Sequence, residues 1–517
     1  MTNILGISAG FHDAAATLID DDGNILFAGH SERYSKHKND PDICADMLEE
    51  LLPEINHIAY YERPWLKQLR RWYSGEGIEW SKITTHGILR NQLGPLMTPR
   101  MKPNRLSPAL NYIEGDMSLL GLYPDVSTHS HHLSHAAAGF QTSPYQEATV
   151  VVCDAIGEWD TASIYRAWYD QDGFAHYKKL WGQRYPHSLG MFYSAFTKRV
   201  GLRPMDEEYI LMGMAAWGQS TWFNRILDEQ VDDISKLTFK NNLHLGLDDH
   251  YLDAARDEDL AASVQEITEW AVCRLMERAR MLGNSDNLVY MGGVALNCLA
   301  NRLLGKYYSN IWIMPNPGDA GSSLGAAALA YGSRLNWHDA YLGHVIPGPY
   351  PVKDLLDELL TNKIVGVASG AAEFGPRALG NRSLLADPRG EDIKDRVNEI
   401  KRRQKFRPFA PVILAEMVDD YFDMPPGWHD SDYMQVVAKC RRPDLFPAIC
   451  HVDGTSRVQT VPKNSRSGIR QLLERWYVMT GCPMLLNTSL NIRGEPMVND
   501  RADADRFEQR YGVKVCS

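Results

Sequence analysis

Short apolar segments that end in glycine-rich turns recur along this chain, and they constrain its fold more than any other feature. Residues 148–152 and 287–291 are two such segments. The second runs into Gly292 and Gly293, where the backbone can approach a ligand closely before a helix begins. Buried strands that alternate with glycine turns and helices are typical of an α/β fold. The sequence therefore predicts a mixed α/β protein.

A predicted hairpin opens the chain. Residues 4–8, 14–19 and 25–28 are apolar enough to form three strands, and residues 20–24 have the composition of a hairpin turn between the second and the third. The loop between the first two strands contains His12 and Asp13. Actin-like ATPases hold phosphate at a loop in this position, so this loop is predicted to lie at the functional site.

A histidine pair at helical spacing, His131 and His135, predicts half of a metal site. Two imidazoles four residues apart lie on one face of a helix, about one turn from each other. Asp154 follows a predicted strand and Asp319 stands on a glycine-rich turn. Two His and two Asp can close one transition-metal site. Spacing alone leaves an alternative open, in which the histidines cluster at a helix N-terminus and the aspartates are unrelated loop residues.

Composition and charge limit the class of protein. With 517 residues, of which 44% are hydrophobic and 23% charged, the chain has ample core for several domains. It has no apolar run long enough for a transmembrane helix and no recognisable leader, and its eight cysteines form no CxxC pair. We therefore expect a cytoplasmic protein with reduced thiols and no membrane partner. A net charge of −11 argues against a general nucleic-acid coat, and the oligomeric state stays unresolved.

One segment, residues 63–105, departs from this acidic balance, with nine bases and two acids. Aromatic residues are interleaved with the bases, and cations with flat rings suit a nucleic-acid groove. DNA is therefore a candidate partner of this segment. The alternative is a solvated surface arm whose aromatic residues pack on the core. The bases are Arg63, Lys67, Arg70, Arg71, Lys82, Arg90, Arg100, Lys102 and Arg105, and the aromatic residues are Trp65, Trp72, Tyr73 and Trp80.

The composition changes again beyond residues 336–352, a proline-rich stretch that predicts a linker. Four later segments put Arg or Lys beside Ser, Thr or Asn on turns, where guanidinium forks and hydroxyls can bind phosphate oxygens. The pattern predicts a polyphosphate or acyl-phosphate pocket in a smaller domain, with ordinary surface ion pairs as the alternative. The segments are residues 375–383, 401–411, 453–461 and 486–496.

Several motifs along nearly the whole chain occur in the order found in one known family. They are His12-Asp13, the His-x-x-x-His of residues 131–135, the Gly-Gly-Val-Ala-Leu-Asn of residues 292–297, the Glu-Phe-Gly-Pro-Arg-Ala-Leu-Gly-Asn-Arg-Ser of residues 373–383 and the Phe-Arg-Pro-Phe-Ala-Pro of residues 406–411. In these motifs the chain resembles the O-carbamoyltransferases of antibiotic biosynthesis and nodulation-factor decoration.

The resemblance implies two domains and a reaction in two steps. Residues 1–335 would form an actin-like (ASKHA-type) duplicated domain that carries the metal site. Residues 353–517 would form a smaller α/β domain, similar to YrdC-like domains that make carbamoyl adenylate. This domain would use carbamoyl phosphate and ATP with Mg²⁺, and would release phosphate and pyrophosphate. The larger domain would pass the carbamoyl group to an acceptor hydroxyl and release AMP.

The resemblance also assigns roles to residues. A divalent metal, Fe²⁺ first with Mn²⁺ or Zn²⁺ as alternatives, would be held by His131, His135, Asp154 and Asp319. The acceptor hydroxyl needs a general base, and His12, Asp13 and His132 are candidates, although His132 faces away from the other two histidines. The candidate cofactor-binding residues are Gly292, Gly293, Asn297, Arg377, Arg382, Ser383, Lys401, Arg407, Arg457, Asn487, Ser489 and Arg493.

Departures from the family pattern leave donor details and the acceptor open. They are at Ile210, Ala371, Ala372 and Gln404 and in the tail after Pro496. The acceptor is either a small hydroxylated metabolite or a hydroxymethylated pyrimidine, such as 5-hydroxymethylcytosine in DNA. The alternative functions are an actin-like-fold small-molecule kinase, which gives the C-terminal Arg segments no role, and a nucleotide-binding regulator without turnover.

Overall fold

The computed structural model of this chain describes residues 3–51, 55–85, 87–89, 124–248, 250–403 and 409–517. Some predicted residues lie outside these ranges: Arg90, Arg100, Lys102, Arg105, Gln404 and Arg407. In the part described, none of the helices has the length and apolar character that crossing a bilayer requires.

The α-helices of the described residues connect several β-sheets. In chain order they are α1 (Glu32–Ser35), α2 (Ala45–Glu49), α3 (Pro64–Tyr73), α4 (His131–Thr142), α5 (Leu189–Arg199), α6 (Glu208–Met214), α7 (Phe223–Gln230), α8 (Asp257–Gly283), α9 (Cys298–Asn301), α10 (Ser322–Tyr331), α11 (Val352–Asn362), α12 (Ile393–Lys401), α13 (Val418–Tyr421), α14 (Gly468–Thr480) and α15 (Arg501–Tyr511).

The predicted opening hairpin is confirmed as the beginning of a five-stranded sheet. Its strands are β1 (Asn3–Ser8), β2 (Ala15–Ile19), β3 (Ile25–His30), β4 (Ile55–Tyr60) and β5 (Asp125–Thr128). The order is β3-β2-β1-β4-β5, with the first three strands antiparallel and β1, β4 and β5 parallel. All six residues of β1 are buried because this strand is central and covered on both faces.

A second five-stranded sheet repeats this topology. Its strands are β6 (Glu147–Cys153), β7 (Asp160–Tyr169), β8 (Ala175–Arg184), β11 (Asn287–Met291) and β12 (Asn310–Trp312), and a small hairpin of β9 (Val231–Asp233) and β10 (Thr238–Phe239) lies between them in the chain. The order is β8-β7-β6-β11-β12, again with an antiparallel hairpin pair followed by parallel strands. The repeat confirms the predicted duplicated α/β domain and its strands at residues 148–152 and 287–291.

Two helices rich in small residues lie between these sheets. α4 packs on the second sheet, α10 packs on the first, and the two helices contact each other. A Cβ on Gly325 would lie 1.8 Å from the carbonyl oxygen of Ser134, and one on Gly139 would lie 2.5 Å from Val289 Cγ1. The glycines and alanines of both helices therefore permit the close approach that brings the start of α4 next to the start of α10.

The C-terminal part has a core of its own around a six-stranded sheet. The strands from β13 onward are β13 (Tyr341–Ile346), β14 (Ile364–Ala368), β15 (Gly370–Glu373), β16 (Arg382–Ala386), β17 (Ala410–Leu414), β18 (Phe422–Asp423), β19 (Val437–Cys440), β20 (Thr455–Arg457), β21 (Gln459–Val461), β22 (Met484–Ser489) and β23 (Val515–Cys516). The large sheet has the order β21-β17-β22-β16-β14-β23, and β13 pairs with β15. The predicted linker, residues 336–352, thus contains a strand, because β13 pairs with β15 of the following domain.

The two parts of the chain contact each other directly. Phe374 follows β15, yet its fully buried ring belongs to the hydrophobic core of the first sheet, 5.6 Å from the ring of His30. Arg33 Nη2 donates to the carbonyl oxygen of Gly375 at 2.9 Å. A Cβ on Gly375 would lie 2.6 Å from the carbonyl oxygen of Pro315, so the motif of the C-terminal domain packs against the loop that leads to Asp319.

Candidate functional site

The start of α4 positions the predicted histidine pair. Ser130 precedes the helix but makes no side-chain cap. Instead the carboxylate of Glu158 accepts hydrogen bonds from the backbone N–H of His131 at 3.1 Å and from that of Arg63 at 2.9 Å. A carboxylate at this end of a helix satisfies open donors and interacts favourably with the helix dipole. Glu158 therefore fixes where the helix begins and which face carries His131 and His135.

The structure brings the four predicted metal ligands together in a buried cluster. His131 Nε2 lies 3.1 Å from Asp154 Oδ2 and 3.4 Å from Asp319 Oδ1. His135 Nε2 lies 3.3 Å from each of the same two oxygens and 3.1 Å from His131 Nε2. One ligand atom from each of the four residues lies within 4.8 Å of the others. Each residue comes from the edge of an element, as the sequence predicts.

Neighbouring groups orient these ligands toward a common point. His135 Nδ1 donates to the carbonyl oxygen of Pro317 at 3.1 Å, which leaves Nε2 as the free ligand atom. Asp154 Oδ1 accepts from the backbone N–H of Ala155 at 2.8 Å and from that of Gly293 at 3.3 Å, so Oδ2 faces the cluster. A nitrogen and oxygen donor set with such outer support fits a divalent transition metal.

Charge within the cluster favours ionised carboxylates. Burial alone would raise the pKa of Asp154, but hydrogen bonds and charge from the two histidines hold this pKa well below its usual range. Burial alone would lower the pKa of His131, and the opposing effect of Asp319 and Asp154 raises it well above its usual range. The cluster thus stabilises two negative charges by opposite charge, which is also what a bound cation would do.

His12 lies at the edge of the cluster with Asp13. His12 Nδ1 donates to Asp13 Oδ2 at 2.9 Å, and its Nε2 lies 3.6 Å from Asp319 Oδ2. Burial lowers the pKa of His12, but the bond to Asp13 and the charge of Asp319 outweigh burial and raise it to about 9. The predicted loop therefore reaches the cluster.

His132 lies on the other side of the helix. Its Nδ1 lies 2.8 Å from Ser163 Oγ on β7, and burial lowers its pKa to about 3. The imidazole is therefore neutral and packed between α4 and the second sheet, as expected for a supporting residue.

The glycine motif at Gly292 and Gly293 positions Asp154, one of the four residues of the cluster. Gly292 has a φ of +91°, and a Cβ there would lie 2.2 Å from the carbonyl oxygen of Cys153. Only glycine fits this approach between β11 and β6, which brings the N–H of Gly293 to Asp154. Asn297 exchanges two hydrogen bonds with Gln265, at 3.0 and 3.1 Å, and caps α9. Its amide is thus used within the protein, and its contact with a cofactor stays a prediction.

The predicted phosphate ligands of the C-terminal domain divide into two kinds. Arg382 is fully buried and donates to the backbone carbonyl oxygens of Ser369, Gly370, Asn381, His344 and Asn499. Because its donors are occupied by the chain itself, these contacts favour a structural role, and the cofactor contact of Arg382 stays a prediction. Asn487 is also committed, since its Nδ2 donates to Ala378 and Gln459.

Lys401 and Ser489 are brought together at the end of the central strands. Lys401 Nζ donates to the backbone oxygen of Ser489 at 2.5 Å and to its Oγ at 3.2 Å, and it also donates to the side-chain oxygen of Asn491. Ser383 on β16 is the register partner of Ser489 on β22. The other candidates are Arg377, which is partly buried, Arg457 at the end of β20 and Arg493, which is exposed.

Three carboxylates of these sites were not identified from the sequence. Glu158 caps α4, and Glu62 Oε2 lies 3.9 Å from His131 Nδ1. Glu373 Oε1 accepts the backbone N–H groups of Leu379, Asn381 and Arg382 and so shapes the turn of the long C-terminal motif. A signal existed for Glu158, which shares the loop of Asp154, and for Glu373, which is the first residue of the long C-terminal motif.

The described part of the basic segment matches neither sequence alternative fully. Its aromatic residues are exposed rather than packed on the core: Trp65 is 56%, Trp72 62% and Trp80 72% exposed. Several of its bases are paired with carboxylates. Lys67 pairs with Glu62 at 2.8 Å, Lys82 pairs with Glu79 at 3.0 Å, and Arg71 also pairs with Glu79.

Comparison with known proteins identifies family models and relatives that this chain matches. Residues 111–328 match the family model described as carbamoyltransferase N-terminus, and residues 356–516 match carbamoyltransferase C-terminus. An uncharacterized protein, sll1178, of Synechocystis sp. is 34% identical, over 99% of this chain and 94% of that protein. Nodulation protein NolO of Bradyrhizobium diazoefficiens is 30% identical, over 72% of this chain and 75% of that protein.

Among solved structures, the activator of the 2-hydroxyisocaproyl-CoA dehydratase from Clostridium difficile with bound ADPNP aligns with 64% of this chain and 94% of its own. The TM-score is 0.34 and the identity 14%, a likeness too weak to support a functional conclusion.

Proposed function

This chain belongs to the carbamoyltransferase family, and on that premise we propose that it is an ATP-dependent O-carbamoyltransferase with two sites. In the C-terminal domain, carbamoyl phosphate, water and ATP give carbamoyl adenylate, phosphate and pyrophosphate. At the N-terminal cluster, the acceptor oxygen bonds to the carbamoyl carbon and AMP leaves with the electron pair of the broken bond. The hydroxyl proton goes to a base of the protein.

The buried cluster of His131, His135, Asp154 and Asp319 is the observation that carries this proposal. These four residues would hold a divalent metal, with iron as the first expectation and manganese or zinc as alternatives. When bound, such a metal supplies Lewis-acid polarisation of a carbonyl group. His12 and Asp13 lie beside the cluster and share one hydrogen bond. We propose that this pair takes up the acceptor proton, with His12 in the neutral form that a cation bound at the cluster would favour.

Lys401 and Ser489 support the donor half of the proposal. A buried ammonium beside a hydroxyl can neutralise and hydrogen-bond phosphate oxygens, as ATP and carbamoyl phosphate require. We propose Arg377, Arg457 and Arg493 as further ligands of these phosphates. The proposal assigns Arg382 a structural role.

The contact between the domains supports transfer of a labile intermediate. Gly375 packs against Pro315, four residues before Asp319, and lies two residues before Arg377. The two proposed sites are therefore joined by one packed segment. We propose that carbamoyl adenylate passes along this contact without release into water.

The test is a product analysis of the purified full-length chain loaded with Fe²⁺. ATP and carbamoyl phosphate are supplied with a panel of polyols and with DNA that contains 5-hydroxymethylcytosine. We expect pyrophosphate and AMP as products and one carbamoyl group on an acceptor, found by mass spectrometry. ADP as the only nucleotide product would instead support a small-molecule kinase, and binding without turnover a regulator.

The acceptor is proposed to be a small hydroxylated metabolite, with a hydroxymethylated pyrimidine in DNA as the second candidate. The exposed tryptophans near the bases of residues 63–82 favour the second candidate, and the carboxylate pairs of these bases oppose it. Carbamoyl groups on the DNA nucleoside alone would decide for DNA.

A further inference from the structure

Arg70 of α3 carries a buried guanidinium. Arg70 is 7% exposed, and its Nε is buried without a hydrogen-bond acceptor among the described residues. Across the ranges that the structure covers, its guanidinium makes no hydrogen bond or ion pair. Burial lowers the pKa of this guanidinium. A buried cation is costly unless it is paired, so a ligand anion would relieve this cost.

The carboxylates nearest to Arg70 are already engaged elsewhere. Glu62 pairs with Lys67 at 2.8 Å. Glu76 accepts a hydrogen bond from Ser74 Oγ at 2.8 Å and lies 3.7 Å from Arg71. Both carboxylates act on Arg70 only from a distance, so its charge is not neutralised by contact.

Arg70 lines an open cleft, and the lining also includes Phe11, Lys67 and the carboxylates Glu62 and Glu76. The cleft is open to solvent. The Phe11 ring forms an apolar wall, with Lys67 Nζ 4.6 Å from its centre. A buried guanidinium beside a flat ring suits a compact ligand with an oxyanion and an apolar or aromatic body.

Two residues join this cleft to the proposed transfer site. Glu62, which lines the cleft, lies 3.9 Å from His131 through Oε2 and Nδ1. On the other wall, the ring of Phe11 lies 4.5 Å from the ring of His12, which in turn approaches Asp319 at 3.6 Å. A ligand held at Arg70 can therefore extend toward the cluster from the solvent side.

We propose that this cleft is the acceptor subsite and that Arg70 selects acceptors that carry a carboxylate or phosphate in addition to the reacting hydroxyl. This inference rests on the proposed carbamoyl transfer and adds the chemical class of its acceptor. Arg70 binds the oxyanion, Phe11 packs on the body of the acceptor, and the hydroxyl faces the cluster.

The test compares three small probes that share a hydroxymethyl-benzene scaffold. They are 4-(hydroxymethyl)benzoate, 4-(hydroxymethyl)phenyl phosphate and neutral benzyl alcohol. Binding to the full-length chain is measured by titration calorimetry. We expect at least one anionic probe to bind, and Arg70→Gln to weaken it about tenfold or more, the size of a charge-assisted bidentate pair. Whichever anionic probe binds more tightly identifies carboxylate or phosphate as the preferred group.

Two further variants keep the test decisive. Arg70→Lys retains the charge without the planar fork and should weaken the anionic probe less than Arg70→Gln does. Arg225→Gln removes an exposed arginine that pairs with Glu229 on α7 and should leave binding as in the wild type. Equal binding of the anionic probe by wild type and Arg70→Gln, or tighter binding of benzyl alcohol, would overturn the inference.

Separate measurements test the proposed carbamoyl transfer and the proposed acceptor subsite. Pyrophosphate release from ATP and carbamoyl phosphate without an acceptor reports on the proposed function and needs no ligand at Arg70. In the transfer assay, Arg70→Gln should raise the KM of the anionic acceptor and leave the KM of ATP within twofold of the wild type.

Discussion

The N-terminal cluster and the C-terminal phosphate segments differ in how well residue type indicates role. In the cluster, all four predicted ligands converge, and backbone groups hold the remaining ring nitrogen of His135 and the remaining oxygen of Asp154. In the C-terminal segments, both cations donate to the chain: the Arg382 guanidinium to backbone carbonyl oxygens, and Lys401 Nζ to oxygens of Ser489 and Asn491. A structural arginine and a ligand arginine both need many acceptors, so sequence alone separates them poorly.

Replacing His135 tests the N-terminal half of this comparison and should have the largest effect. His135→Ala removes one of four metal donors, so we expect metal content to fall and carbamoyl transfer to drop about a thousandfold, equivalent to several kcal/mol of lost transition-state stabilisation. Metal is measured by elemental analysis and transfer by mass spectrometry. His176→Ala, an exposed histidine, is the matched control. Full metal content in His135→Ala would contradict the assignment.

Replacing Arg382 tests the structural role proposed for this residue in the C-terminal domain. Arg382→Met keeps the volume but leaves several buried carbonyl oxygens without donors, so we expect a loss of roughly 3 kcal/mol or more in the free energy of unfolding. Urea denaturation measures this loss, with the exposed Arg396→Met as control. A variant of normal stability with a raised KM for ATP would make Arg382 a ligand after all.

Replacing Lys401 tests the opposite case, a cation that is proposed to bind substrate. Lys401→Ala should raise the KM of carbamoyl phosphate or ATP by about ten- to hundredfold, since charge-assisted bonds to phosphate are lost. Pyrophosphate release at varied substrate concentrations measures this change. Lys353→Ala, an exposed lysine of α11, should keep the wild-type KM. An unchanged KM in Lys401→Ala would place Lys401 with Arg382 among structural residues.

The contact between the two regions can be weakened by one methyl group. Gly375→Ala puts a Cβ 2.6 Å from the carbonyl oxygen of Pro315 at a φ of +150°, so the loop before Asp319 must shift. We expect pyrophosphate release to persist while transfer falls about tenfold. The ratio of carbamoylated acceptor to pyrophosphate measures this uncoupling. Gly318→Ala has open space around its Cβ and should keep the ratio; an equal ratio in Gly375→Ala would argue against coupling through this contact.

Local patterns predicted much of the fold and of the cluster. Apolar runs marked β1, β6, β11 and β14, and the helical spacing of His131 and His135 placed both on one face of α4. These features depend on neighbours in the chain. The aspartates could be assigned because each one follows a strand or a glycine turn.

Partners distant in the chain were not predictable in the same way. Asn297 pairs with Gln265, and His135 is oriented by a carbonyl group of residue 317. Any backbone carbonyl can play that part, so no residue type signals it. The strand β13 was hidden in a proline-rich stretch because its partner β15 lies beyond α11 and β14. Pairings of this kind are fixed by tertiary packing rather than by composition.

The buried position of Phe374 limits where this chain can be divided into separate fragments. Its ring completes the core of the first sheet from the far side of the domain boundary. A fragment that ends at residue 335 would leave an unfilled hole there, at a cost of about 3–5 kcal/mol for a missing buried phenyl group. If two genes encoded the two halves separately, the N-terminal half would need another side chain in the position of Phe374. A single chain provides this side chain itself.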